Sequence, residues 1–149
     1  MISKITTVKQ IQETIASKNY KQAVSLIEKN KNDLIELDYW YYLSLCSRYQ
    51  GDYKQALVIL NNVIKIDSNY ARAFQEFGHN YFKLNNFKMA LKSYLRAIKY
   101  NPTLHASWLG ILGIENIDQN TIDLATKNVL YLKKLPPELK SVSSFIYEG

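Results

Sequence analysis

His79, His105 and Cys46 are the side chains of this sequence best suited to general-base, nucleophilic or metal chemistry, and their spacing assembles none of it. The two histidines have no third ligand at metal-binding spacing. Cys46 stands alone in an aromatic-rich run with no His near it in sequence. Its thiol therefore reads as packed or groove-lining rather than nucleophilic. A single cysteine forms no internal disulfide, which is consistent with a reducing cytoplasm. The acidic residues are scattered without a convergent pair, and no phosphate-loop, dinucleotide or H-E-x-x-H pattern occurs. Gly110-x-x-Gly113 fits close helix packing better than a phosphate cradle. The chain as it stands is expected to be no enzyme, with no metal and no cofactor.

Recognition chemistry is better represented. Between Glu76 and Glu115 there is no acidic residue, whereas Lys83, Lys88, Lys92, Arg96 and Lys99 fall in that stretch. The last four are spaced four, four and three residues apart and share one face of a helix. Part of the formal charge of +6 reflects a general abundance of Lys and Asn. The stripe fits a solvated face, or a docking strip for an acidic protein, an anionic membrane or a nucleic acid. Nucleic acid is disfavoured because no Arg-rich motif or nucleic-acid module is present.

The elements that carry these residues come from a repeat. Trp40 and Phe74 are 34 residues apart, as are Ala56 and Ala90. The clearest copy, 71–102, holds Phe74, Phe77-Gly78, Tyr81, Ala90, Tyr94, Ala97 and Pro102. This resembles the tetratricopeptide repeat, W-x2-L-G-x2-Y, then A-x3-F, then A and P. The copy before it departs at Ser44, Ser47 and Ser68. Weaker copies flank the two, with Tyr20, Ala23 and Ile27 on one side and Leu112-Gly113, Ile122, Ala125, Val129, Leu132 and Pro136 on the other.

The resemblance implies an all-α superhelical solenoid of about four hairpins plus a C-terminal helix. The repeats fall at 4–34, 37–68, 71–102 and 105–136 of a single domain. Nine helices are expected, near 4–17, 20–30, 37–49, 53–66, 70–84, 87–100, 104–117, 121–134 and 137–147. No run approaches the roughly 18 apolar residues of a membrane span.

In this family the first helices of successive hairpins line a concave groove. The resemblance puts Trp40, Leu43, Phe74, Phe77 and Tyr81 in the core. It puts Asp38, Tyr41, Leu45 and Arg48, then Arg72, Gln75, His79 and Phe82, on the groove. Ala substitutions at Tyr41 and His79 are accordingly expected to leave stability nearly intact. The implied partner is a protein or peptide, and the implied function a non-catalytic interaction scaffold; the sequence fixes no oligomeric state. Relatives that clamp a C-terminal carboxylate use Lys and Asn four apart, then Asn, then Lys and Arg. Tyr41, Leu45 and Glu76 stand at the matching positions here, so that specificity is not expected. Two readings of the C-terminal segment stay open. Leu139, Val142 and Ile146 form the apolar face of a capping helix, or they begin a further repeat in a longer protein. The segment 135–149 also resembles a junction in bacterial proteins that carry these repeats ahead of a sulfotransferase domain. On that alternative the chain is the N-terminal repeat region of a larger transferase.

Overall fold

Apolar residues spaced three and four apart give most segments one side to bury. The computed structural model describes residues 4–135, and among them it holds eight helices and no strand. These are α1 (Lys4–Ala16), α2 (Tyr20–Lys29), α3 (Glu36–Tyr49), α4 (Tyr53–Ile66), α5 (Ala71–Lys83), α6 (Phe87–Tyr100), α7 (His105–Leu112) and α8 (Gln119–Lys133). The all-α helical-repeat reading holds. The ninth helix expected at 137–147 lies outside the described residues. No described helix is long and apolar enough to cross a membrane.

The chain falls into two compact units that divide between Ser68 and Asn69. In the first, α1 packs on α2 and α3 on α4. In the second, α5 packs on α6 and α7 on α8, with α7 also against α5 and α6. The repeat is written most clearly in the smallest side chains. Ala23, Ala56, Ala90 and Ala125, one on each second helix, are all fully buried. A larger side chain at such a crossing pushes the helix axes apart.

Three hairpin turns share one backbone solution. Lys18, Gly51 and Asn85 follow α1, α3 and α5 with φ of 65°, 83° and 61°. Each left-handed residue donates its N–H to the carbonyl three positions back, at 2.9, 2.9 and 3.0 Å. The next residue in each turn donates five positions back: Asn19 to Thr14, Asp52 to Ser47 and Asn86 to Tyr81, at 3.1, 2.9 and 2.9 Å. This paired pattern is the Schellman motif, which satisfies the orphan carbonyls of a helix end. Only Gly51 adopts the conformation without a Cβ penalty. In the second turn the Ser47 hydroxyl also donates to the Asp52 carbonyl at 2.9 Å, so the Ser that replaces the usual Tyr ties down the hairpin.

The fourth hairpin corrects the register read from sequence. Trp108 and Ile111 are buried, whereas Leu112 and Gly113 are exposed. Trp108 follows Phe74 by 34 residues, and Ile111 follows Phe77 by 34, but Ala125 follows Ala90 by 35. The additional residue is taken up in the connection 113–118, where Asn116 adopts φ 61°. α7 itself ends at Leu112 rather than near 117. Asp118 then caps α8, accepting from Thr121 N and Thr121 Oγ1, both at 2.8 Å. Those bonds hold the Asp118 carboxyl below its ordinary range.

Lys18 is an L-residue in a left-handed conformation, which costs on the order of 1–2 kcal/mol. Lys18→Gly is expected to raise stability by up to about 1 kcal/mol in chemical denaturation, whereas Gly51→Ala lowers it by roughly 1 kcal/mol. Ala90→Leu overpacks a fully buried crossing and should lower stability by about 1–3 kcal/mol in the same assay.

Candidate functional site

The second unit is organised around one ring. Tyr94 on α6 is 2% exposed and lies between Gly78 of α5 and Gly110 of α7. A Cβ at Gly78 would fall 2.5 Å from Tyr94 Cδ1, and one at Gly110 would overlap the ring as well. Both glycines are therefore required by close approach rather than by backbone conformation. The Tyr94 hydroxyl is 2.6 Å from His79 Nδ1, in a phenol–imidazole hydrogen bond with the rings edge to face. The ring belongs to the unit's apolar core, with Ala90, Trp108, Ile111, Ile114, Ala125, Val129 and Leu132. The Trp108 indole donates to the Pro102 carbonyl at 2.8 Å, which fixes α7 against the loop before it.

Beside the ring the helices leave a cleft of about 350 Å³, walled by His79, Phe82, Tyr94, Ala106, Leu109, Gly110 and Gly113. Its walls are mainly apolar, and the imidazole supplies a polar edge. Leu109 is 46% exposed and half-buried Phe82 packs edge to face on Phe87, so two large apolar groups face the opening. An open, mainly apolar cleft with a few fixed polar groups is the form of a docking site. Among the described residues, no group of three or more His, Cys, Asp or Glu can hold a metal ion.

The other residues singled out by sequence divide by unit. In the second, Arg72, His79 and Phe82 are half-buried, but Gln75 is 1% exposed and accepts from Ser107 Oγ at 2.8 Å. It is a buried inter-helix strut between α5 and α7. In the first unit, Asp38 and Arg48 are half-buried, and the Arg48 guanidinium lies 4.4 Å from the Tyr49 ring centroid. Tyr41 and Leu45 are buried at 1% and 2% exposure, contrary to the open-face expectation. Trp40 and Leu43, expected in the core, are instead half-buried. The physical reason is that α3 is covered on nearly every side. Tyr39, Tyr42, Ser44, Cys46 and Ser47 are buried too, so no outward face stands out.

Burial pushes the Cys46 thiol up to about 11, which keeps it protonated and unreactive. Burial and the Glu28 carboxylate, 2.8 Å from the Tyr39 hydroxyl, push that phenol up to about 12. His105 is held below its ordinary value by burial and by Lys133. Lys88, Lys92, Arg96 and Lys99 are all exposed on α6.

The geometry is that of a helical-repeat protein, and residues 71–104 match the tetratricopeptide repeat. A further similarity, 26% identity over 72 residues and 48% of the chain, is to anaphase-promoting complex subunit 3 of Schizosaccharomyces pombe. The matched stretch covers 11% of that yeast protein. Neither finding bears on the sulfotransferase resemblance, and residues 136–149 of that segment lie outside the described ones.

Gly110 was expected in close helix packing and packs so against Tyr94, but aligning Leu112-Gly113 with Phe77-Gly78 put α7 one residue out of register. The 34-residue series Trp40, Phe74, Trp108 was the signal that finds the correct register.

Gly78→Ala should destabilise the protein by about 1–3 kcal/mol through the Tyr94 ring. The loss should shrink in a Tyr94→Leu background, where a double-mutant cycle reads the coupling. Tyr41→Ala should cost roughly 3–5 kcal/mol in thermal or chemical unfolding, as for other buried aromatics.

Proposed function

We propose that this chain is a non-catalytic protein-interaction scaffold, and that the cleft beside Tyr94 receives an apolar side chain of a protein or peptide partner. The observation that carries this reading is the cleft itself. It is open, mainly apolar and framed by three helices whose spacing the Gly78–Tyr94–Gly110 contact fixes. A preformed cleft spares a ligand the cost of ordering its receptor. Phe82 and Leu109 would form its apolar walls, and His79 would offer a hydrogen bond at its edge. Arg72, half-buried in the same unit, is a candidate peripheral contact.

Two further observations support the reading. The matched repeat is of a class that serves protein–protein contacts, and the yeast relative is by name a subunit of a complex. The inert, buried Cys46 accords with a reducing, cytoplasmic setting.

The test is partner capture from native extract by wild type and by Leu109→Glu. Leu109 is largely exposed, so the substitution should leave the melting temperature nearly unchanged. Specific partners retained by wild type should be lost or strongly depleted with the variant, because a carboxylate would be buried without a partner. Equal recovery of the same partners by both proteins would remove the cleft from the account.

A further inference from the structure

We propose that the exposed face of α6 is a second docking surface, distinct from the cleft, and that it takes an acidic helical segment of a partner protein. Lys88, Lys92, Arg96 and Lys99 stand on one face, and all four are exposed. Among the described residues Lys88, Lys92 and Lys99 make no ion pair. The Arg96 guanidinium is held 4.7 Å from the Phe74 ring centroid, so one cation of the row is partly ordered before anything binds.

The row does not follow from the repeat. Aligning the second helices on Ala23, Ala56, Ala90 and Ala125 puts Lys54, Val58, Asn62 and Lys65 at the same four positions of α4. For α8 and the residue after it they are Asp123, Lys127, Tyr131 and Lys134, and for α2 and the turn after it they are Lys21, Ser25, Lys29 and Asn32. Three of the hairpins interrupt the row with neutral or acidic residues, and α6 alone completes it. A lysine-rich composition spread evenly over the surface would not do this.

The chemistry of the row selects its occupant. From Lys88 to Lys99 is eleven residues, or about 16 Å of helix. A second helix with carboxylates at three- and four-residue spacing matches that length charge for charge. Leu95, 40% exposed, lies directly beside the row on the same side of the helix. It gives an acidic helix an apolar contact as well as charge, and complementary charge steers its approach. A membrane is a poorer match. The apolar side of α6, Ala90, Tyr94 and Ala97, is buried in the fold and has nothing to insert. A nucleic acid is also poorer, because the apolar residue beside the row is an aliphatic Leu95, which offers no platform for a base.

The experiment uses the full chain and a synthetic helical peptide with Glu at matching three- and four-residue spacing and Leu between. Binding is measured for wild type, for Lys88→Glu/Lys92→Glu/Lys99→Glu on α6, and for Lys21→Glu/Lys54→Glu/Lys65→Glu. The two variants carry the same net charge, and every position changed is exposed. A matching Gln triple on α6 serves if the Glu triple misfolds by circular dichroism. The α6 variant is expected to lose about tenfold or more in affinity, in a salt-dependent way, while the other triple changes little. Leu109→Glu should bind the peptide as wild type does, which separates this surface from the cleft. Equal losses in both triples would reduce the effect to net charge and overturn the proposal. Absence of peptide binding would also overturn it. So would tighter binding of phosphatidylserine vesicles or a single-stranded oligonucleotide that is lost with the α6 triple.

Discussion

The second unit depends on the thickness of one aromatic ring. Tyr94 separates α5 from α7 by its own width, because each presents a glycine to it. An interior at crystal-like density leaves no slack for one more methyl group at such a contact. Several features follow from this constraint. The ring's hydroxyl meets His79 and fixes that imidazole at the cleft edge. Trp108 and Ile111 reach the core from α7, and Gln75 is brought to Ser107 across the α5–α7 approach. The same ring forms one wall of the cleft.

The first unit solves the same packing problem with different residues. Ala23 and Ala56 keep its hairpins close, while Tyr41, Tyr42, Leu45 and Cys46 fill its interior from α3. Its turns use the same Schellman hydrogen bonds as the α5–α6 turn. Only one of the three turns has a glycine at the left-handed position. The hydrogen-bond pattern thus persists where the residue type does not, because the two bonds satisfy carbonyls that a helix end would otherwise leave open.

The repeat and its hairpins were legible because small and large residues recur at fixed spacing, which is a packing requirement written directly in residue type. The α6 stripe was legible because charges on an exposed helix face keep the helix period. Less legible was which side of α3 faces outward. Seven of its residues are buried, so the apolar pattern that normally marks one face runs around the helix. The register of α7 was misread for a different reason. An added residue in a connection shifts numbering without leaving a periodic trace, and Trp108 and Ile111 preserve the true spacing. The His79–Tyr94 bond joins helices α5 and α6 through side chains fifteen residues apart. Sequence placed both residues but gave no signal that their polar atoms meet.

The central claim is that the cleft beside Tyr94 is where a protein partner docks. It is tested most directly by placing a photo-crosslinking phenylalanine analogue at Leu109 in the protein's own cells. Irradiation should produce a discrete protein adduct that is absent when the analogue replaces Leu124, an exposed leucine on α8. Adducts of the same pattern from both positions, or none from Leu109, would contradict the account.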